Sequence, residues 1–236
     1  DGVDPIIVCS VANRGGNSDI GDSCGLLLHS ESQDNNDYSP MVAFSSRSNS
    51  GNYNSIYGAI VGRRTGQGAD SNWNAGELNF FTNTDGGYMD STPNMRIDKE
   101  GNVQMPRKSC FSAHCNSQNV DGYLSFQNIN VNKGNDFNSN GTFTAPCDGA
   151  YYFSFYGMAT GSSENLRVTI RINNASHSSG EHYGGVGYNK AGTYNQVVIM
   201  TILDLSAGDT VRVWWNTGSY NAIHQNHNKF NGHFLG

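Results

Sequence analysis

The sequence predicts an all-β protein built from many short strands joined by tight turns. Charged residues make up only 14% of the 236 residues and hydrophobic residues 36%, below the roughly 45–50% apolar content of ordinary domains. The chain nevertheless holds 12 Tyr and 11 Phe, whereas disordered chains are poor in aromatic residues. Turn-forming Gly, Asn and Ser mixed with aromatic and β-branched residues therefore indicate strands and turns.

The first half of the chain alternates short apolar segments with clusters of Gly, Asn and Ser. Each apolar segment is about four to six residues long, which fits a strand and not a helix. Such thin apolar content gives a single chain little core to offset its conformational entropy. We therefore expect a β-rich, intertwined neck domain in an obligate oligomer, with a core shared between chains. The segments are 6–8, 25–28, 41–44, 56–61 and 78–81.

A β-hairpin is predicted just before Pro106. Glu-Gly-Asn at 100–102 supplies the turn, which lets Ile97 and Val103 share one face of the hairpin. Pro106 then interrupts strand pairing, because proline has no backbone N–H to donate. The end of the hairpin is therefore a natural place for a domain boundary.

The two halves also differ in charge, and the boundary at about residue 107 separates them. The neck domain, 1–107, holds 7 Lys and Arg against 13 Asp and Glu, and the head domain, 108–236, holds 7 of each. Without a basic patch, no nucleic-acid partner is expected. No apolar run approaches the length of a membrane span, so no membrane insertion is expected.

In the second half, residues 166–173 alternate apolar and polar side chains without a break. This pattern is typical of a half-buried antiparallel strand. The residues expected to face the core are Leu166, Val168, Ile170 and Ile172, and those expected to face solvent are Arg167, Thr169, Arg171 and Asn173.

Two further segments of this half are apolar on both faces. Residues 151–156 are nearly all aromatic, and residues 197–203 are apolar throughout except for Thr201. We expect both segments to be covered on both faces, with 197–203 as a central strand. Many short strands separated by regular turns predict an antiparallel sandwich.

The cysteines do not form a recognisable disulfide framework, because their number is odd and their spacing irregular. We expect free, mostly buried thiols that act as small hydrophobic side chains, which fits folding in a reducing cytoplasm. They are Cys9, Cys24, Cys110, Cys115 and Cys147.

Residues 137–156 carry a more specific pattern. Phe-Thr-Ala-Pro at 143–146 is followed, after a turn, by Gly-Ala-Tyr-Tyr-Phe-Ser-Phe at 149–155. Leu-Ser-Ala-Gly-Asp-Thr-Val at 205–211 and Phe-Asn-Gly-His-Phe-Leu at 230–235 come later, in order. Together these segments resemble the globular head domain of the complement C1q family.

The resemblance covers roughly residues 110–236. It implies a ten-stranded jelly-roll sandwich, related in fold to the tumour necrosis factor ligands, that assembles into a tight homotrimer. Members of the family bind partners and perform no chemistry. The resemblance therefore implies a non-enzymatic binding protein with a trimeric neck before the head.

Animal members of the family usually carry collagen-like Gly-X-Y repeats before the head, and this chain does not. Its segments 80–82 and 95–103, Phe-x-Thr and Met-Arg-Ile-Asp-x-x-Gly-Asn-Val, instead resemble a pattern of phage tail fibres and tailspikes. That resemblance implies a receptor-binding tip at the distal end of a tail fibre in the virion, joined to an upstream fibre shaft. Its receptor would be a glycan or protein of the host cell surface. The alternatives are a secreted C1q-like lectin or signalling protein and a structural trimerisation cap.

Two polar segments rich in Tyr, Gly and His, at 181–194 and 218–227, form the candidate receptor surface. Tyrosine offers a large, rigid contact area at a small cost in conformational entropy, and aromatic rings stack on sugars. The candidate receptor-binding residues are Tyr183, Tyr188, Tyr194, Tyr220, His224 and His227.

No catalytic residue, metal ligand or cofactor is predicted. His224 and His227 are three residues apart, so on a regular strand they would point to opposite faces. Residues 136–141 have the Asp-x-Asn-x-Asn-Gly spacing of a calcium-binding loop, but the twelfth position is Cys147, where such a loop needs a bidentate Glu. Calcium bound elsewhere on the head stays an alternative.

Overall fold

The structure is a computed structural model, and its regular elements are β-strands throughout the described part of the chain. The predicted all-β class is therefore confirmed. The chain divides into two compact units, Asp1–Pro106 and Arg107–Gly236. The described residues are 7–8, 27–28, 38–47, 54–66, 75–83, 92–118, 121–160, 165–175, 182–188, 194–216 and 222–236.

The first unit contains one antiparallel sheet in which strands β3 to β7 follow one another in chain order. Strands β1 and β2 pair separately. The described strands of this unit are β1 (Ile7–Val8), β2 (Leu27–Leu28), β3 (Val42–Arg47), β4 (Asn54–Arg64), β5 (Gly76–Thr82), β6 (Met95–Ile97) and β7 (Val103–Gln104).

The hairpin predicted before Pro106 is confirmed as β6 and β7. Ile97 pairs with Val103, and Gly101 adopts a φ of 84°, a left-handed conformation that glycine tolerates. The carboxylate of Asp98 accepts hydrogen bonds from the backbone N–H groups of Glu100 at 3.1 Å and Asn102 at 2.8 Å. An acidic residue at the start of the turn thus fixes its geometry.

Among its described residues, the sheet of the first unit buries few apolar side chains within the single chain. Ala59, Val61 and Phe81 are buried, whereas Phe44 and Val103 are each 60% exposed. These two side chains lie on β3 and β7, the two edge strands of the sheet. The oligomeric neck remains a prediction, and these side chains are the ones it would bury.

The second unit, hereafter the head unit, is a sandwich of two antiparallel sheets. Sheet A has the strand order β10-β8-β17-β12-β15, and sheet B has the order β11-β16-β13-β14 with β9 paired to β16. The strands are β8 (Cys110–His114), β9 (Gly122–Tyr123), β10 (Asn128–Lys133), β11 (Phe143–Thr144), β12 (Gly149–Thr160), β13 (Asn165–Ile172), β14 (His182–Tyr188), β15 (Tyr194–Leu205), β16 (Thr210–Asn216) and β17 (Ala222–Phe234).

One core fills the space between sheets A and B, and it is rich in aromatic rings. Phe111 stacks on Phe137 with ring centroids 4.1 Å apart. Gly232 of β17 lies directly against this cluster, because a Cβ atom there would come within 2.3 Å of Phe111 and 2.8 Å of Phe153. The glycine of the closing Phe-Asn-Gly-His-Phe-Leu segment therefore makes room for the aromatic core.

The expected exposure of β13 is wrong at two positions. Thr169 and Arg171 were expected to face solvent, yet they are only 3% and 8% exposed. They do lie on the outward face of sheet B, but Arg171 packs against the rings of Trp214 and Tyr123 on the neighbouring strands. Long aromatic side chains lying across the sheet can bury a polar residue that strand alternation alone places in solvent.

The expected central position of residues 197–203 is wrong, and within the single chain neither 151–156 nor 197–203 is covered on both faces. In β12, Tyr151, Phe153 and Phe155 are buried, but Tyr156 is 44% exposed. Strand β15 is an edge strand of sheet A and not a central one. The pattern of apolar residues on both faces identifies a covered strand, but it cannot distinguish cover within the chain from cover by another chain.

The described cysteines are free, and they differ in exposure: Cys115 is buried, Cys110 is intermediate and Cys147 is exposed. The expectation of mostly buried thiols is therefore wrong for Cys147. Burial raises the pKa of the Cys115 thiol to about 12, so this thiol is inert. Cys9 and Cys24 lie outside the described residues.

Candidate binding surfaces

A bulge in β17 shapes one end of sheet A. Gly157 of β12 pairs with Asn228, whereas Ala159 pairs with Ile223. Four residues of β17, 224–227, therefore lie opposite the single residue between Gly157 and Ala159. Bulges re-aim side chains that a regular strand would send to opposite faces.

The buried side chain of Asn228 holds this bulge in place. Its Oδ1 accepts a hydrogen bond from the N–H of Cys115 at 2.7 Å, and its Nδ2 donates to the carbonyl oxygens of Cys115, His224 and Gln225 at 3.0, 2.8 and 3.2 Å. Sequence reasoning missed Asn228. The only signal was an asparagine inside a strand, where this residue is depleted.

The bulge brings three of the six predicted receptor-binding residues together. The rings of His224 and His227 lie 4.6 Å apart, and the ring of Tyr194 lies 6.3 Å from that of His224. The backbone N–H of Asn226 donates to Nδ1 of His224 at 3.1 Å. A regular strand would send the two histidines to opposite faces, and the bulge brings their rings together instead.

The other three predicted residues are not placed with this cluster. Tyr183 and Tyr188 belong to β14 of sheet B, and their side chains lie outside the described part of the structure. Tyr220 lies outside the described residues altogether. Their part in receptor binding therefore remains a prediction.

A shallow groove of about 350 Å³ lies next to the histidine pair. It is lined by Tyr156, Met158, Gln196, Val198 and His227 among others. The lining mixes apolar side chains with a few polar groups, as ligand sites do. The groove opens onto the outward side of β12 and β15.

The outward side of β12 and β15 is apolar, and we call Tyr156, Val198, Met200 and Ile202 the apolar face. The exposed fractions of these side chains are 44%, 59%, 67% and 62%. Tyr156 pairs directly with Val198 across the two strands, so the exposed groups adjoin. A row of exposed apolar side chains on an edge strand is a surface for association with another chain.

The outward side of sheet B is different, because it carries two arginines among aromatic rings. The guanidinium of Arg171 lies 3.9 Å from the ring centroid of Trp214, and that of Arg212 lies 4.1 Å from the ring centroid of Tyr123. The rings of Tyr123 and Trp214 meet edge to face at 4.8 Å. We call these four residues the arginine–aromatic cluster, which sequence reasoning missed.

The described residues hold no group of three His, Cys, Asp or Glu side chains that could bind a metal ion. His114, the last residue of β8, is half-buried, whereas Cys115, which follows the strand, is fully buried. No helix in the described part of the chain is long and apolar enough to span a membrane.

Comparisons with known proteins concern the head unit. The sequence model of the C1q domain matches residues 110–235. A comparison with curated proteins gives no match.

Three solved structures are similar to this chain in fold. The globular domain of zebrafish complement 1qA protein is 21% identical, with 55% of this chain and 98% of that chain covered and a TM-score of 0.44. Eiger TNF from S. frugiperda is 13% identical, with coverage of 55% and 94% and a TM-score of 0.42. Murine APRIL is 11% identical, with coverage of 54% and 99% and a TM-score of 0.44.

Proposed function

Because this chain belongs to the C1q domain family, we propose that it is a homotrimeric, non-enzymatic receptor-binding protein whose trimer contact includes the apolar face. Domains of this family are typically binding modules that trimerise. The exposure of Val198, Met200 and Ile202 carries the proposal for this chain. Because these side chains are already partly buried, burial of the exposed remainder would contribute about 1–2 kcal/mol each to assembly.

We further propose that the trimer is the tip of a phage tail fibre that binds a glycan or protein on the host cell surface. The β6–β7 hairpin, which carries the fibre-like segment 95–103, supports this assignment together with the exposed apolar side chains of the first unit. Three identical sites on one trimer, repeated over several fibres, would multiply a weak affinity into strong attachment. Tyr194, His224 and His227 are the proposed receptor contacts at the bulge.

A second candidate function is that of a secreted C1q-like lectin or signalling protein. The family match favours it, since C1q domains occur in secreted or extracellular proteins. A purely structural trimerisation cap would use the apolar face alone. The two binding functions share the head unit and differ in the cells that carry the receptor.

Binding of the fluorescently labelled, full-chain trimer to a panel of bacterial strains tests the phage function. We expect strain-selective labelling that is lost when surface polysaccharide is stripped from the cells. A monomeric variant, Ile202→Lys, serves as the control for avidity. If a verified trimer labels no bacterial strain but labels animal cells, the fibre-tip function is wrong and the secreted alternative is supported.

A further inference from the structure

The arginine–aromatic cluster places two positive charges side by side. Arg171 and Arg212 are direct cross-strand partners in β13 and β16, and both lie on the outward face of sheet B. Like charges at directly opposed positions destabilise a sheet. The aromatic rings hold the two guanidiniums but carry no negative charge that would neutralise them.

No carboxylate neutralises the pair within the described part of the chain. The described ion pairs all lie in the first unit, between Arg63, Arg96 or Lys99 and a glutamate. Arg171 is more than nine-tenths buried, and its described hydrogen bond runs from Nε to Oγ1 of Thr169 at 3.3 Å. The two terminal nitrogens of this buried guanidinium make no hydrogen bond among the described residues.

The same cluster holds further donors without acceptors. Nε1 of Trp214, Nε of Arg212 and the hydroxyl of Tyr123 are buried and have no hydrogen-bond partner in the described structure. Each such group ordinarily carries a cost in free energy. Desolvation also lowers the pKa of the Arg212 guanidinium, although an arginine keeps its charge at any physiological pH.

The chemistry of these groups specifies a ligand. Guanidinium and indole groups can donate hydrogen bonds but cannot accept them, so the cluster matches a group that only accepts. A carboxylate meets this requirement and fits the planar fork of arginine in a bidentate geometry. Sulfate and phosphate share the same acceptor chemistry.

We propose that the arginine–aromatic cluster binds the acidic group of an anionic sugar in a surface polysaccharide. This inference rests on the proposed receptor-binding function and names the chemical class of the receptor. Nη1 and Nη2 of Arg171 and Nη1 of Arg212 hold the acidic group, while Nη2 of Arg212 donates to the carbonyl oxygen of Asn140 at 3.0 Å. The aromatic rings hold the guanidiniums in place when no ligand is bound.

The position of the cluster suits this role. The apolar face lies on sheet A, whereas the cluster lies on the outward side of sheet B. Association through the apolar face therefore does not cover the outward side of the cluster. Each trimer would present three copies, and weak binding at each would add through avidity.

The test is equilibrium binding of the full-chain trimer to defined polymers, measured by biolayer interferometry. The probes are polygalacturonate, dextran sulfate, poly(glycerol phosphate), neutral dextran and poly-glutamate. We expect binding to at least one of the three acidic non-peptide polymers and none to dextran, and the preferred probe identifies the acidic group. Binding to poly-glutamate as strong as to every acidic sugar polymer would overturn the assignment to a sugar.

Variants of the cluster separate a site from general charge attraction. We expect Arg212→Gln to weaken binding by about tenfold or more, and Arg212→Lys to weaken it too, since lysine keeps the charge but lacks the planar fork. The matched control is Arg167→Gln, which removes the same charge from an exposed position on the same face of β13. Equal losses in Arg167→Gln and Arg212→Gln would overturn the proposal.

Thermal unfolding distinguishes a binding role from a structural one. Arg212→Gln relieves the repulsion between two opposed like charges but also removes the hydrogen bond from Nη2 of Arg212 to the carbonyl oxygen of Asn140, so its melting temperature should change little. A lower melting temperature together with unchanged binding would mean that the cluster only stabilises the fold. An Arg212→Gln trimer that loses the acidic polymers but still labels cells would overturn the link to the receptor and leave the proposed function intact.

Discussion

Sheets A and B bury the same kind of side chain towards their common core, yet their outward faces carry opposite chemistry. Sheet A presents the apolar face, with Val198, Met200 and Ile202 more than half exposed. Sheet B presents the paired guanidiniums of Arg171 and Arg212 over aromatic rings. In each sheet, alternate side chains of a strand point into the core, and the side chains between them point outwards and can differ in chemistry from one sheet to the other.

The difference teaches how one jelly roll can both assemble and bind. An apolar face gains free energy when another chain covers it, through removal of its surface from water. The donors of the arginine–aromatic cluster that have no protein acceptor gain free energy only from a ligand that accepts hydrogen bonds. The two faces therefore select different partners, and changes to one face should leave the function of the other intact.

The largest expected effect comes from a charge placed in the apolar face. Ile202 is 62% exposed in the single chain, so Ile202→Lys should fold normally. Burial of an unpaired ammonium in a trimer contact costs several kcal/mol, which should raise the trimer dissociation constant by about a hundredfold or more. Sedimentation velocity over a range of concentrations measures this change.

The control for this variant is Val131→Lys, the same kind of change on β10 at the opposite edge of sheet A. Val131 is 40% exposed and lies outside the apolar face, so its variant should remain trimeric. Intrinsic binding of polygalacturonate per chain should be similar in both variants. A trimer that survives Ile202→Lys would show that assembly does not use the apolar face.

The next effect tests the core that both faces share. Gly232→Ala places a Cβ atom within 2.3 Å of Phe111, and overpacking of this kind costs about 1–3 kcal/mol. Urea unfolding at fixed protein concentration should show this loss, and both assembly and saccharide binding should weaken together. Gly122→Ala is the matched control, because a Cβ atom at Gly122 meets no atom within 4 Å; a loss as large in this variant would contradict the packing argument.

A smaller and more local effect is expected at the bulge of β17. Asn228→Ala removes the hydrogen bonds that the side chain makes to Cys115, His224 and Gln225, at a cost of about 1–3 kcal/mol. We expect the NMR signals of the His224 and His227 rings to shift and broaden while those of Trp214 stay unchanged. A variant in which Trp214 shifts as much would mean that the two sheets do not act separately.

The contrast between the faces also marks the limit of prediction from sequence. The strand pattern of β13 and the hairpin at 95–103 follow from alternation and turn chemistry, both of which are local. The exposure of Val198 and Met200 does not follow from local pattern. A run of apolar residues is equally compatible with burial by the same chain and with burial by another chain. Local sequence patterns therefore predict the strands, whereas the burial of each strand face depends on the chains that pack against it.

The candidate sites were harder to predict for a related reason. Tyr194, His224 and His227 were predicted as receptor contacts because Tyr and His are common contact residues, but their proximity depends on a bulge that one buried asparagine stabilises. Arg171 and Trp214 lie 43 positions apart in the sequence, and only the pairing of β13 with β16 brings them together. A composite site across paired strands leaves no contiguous motif in the sequence.

The smallest expected effect separates the two faces by their response to salt. Raising ionic strength from about 0.1 M to about 1 M shortens the Debye length from about 10 Å to about 3 Å. Binding of the acidic saccharide by Arg171 and Arg212 should then weaken several-fold, while the trimer held by the apolar face should be unaffected or tighter. Biolayer interferometry measures the change in saccharide affinity, and sedimentation velocity in the same buffers measures the change in trimer assembly. Equal weakening of both would mean that charge, and not apolar burial, holds the trimer, and the contrast between the two faces would fail.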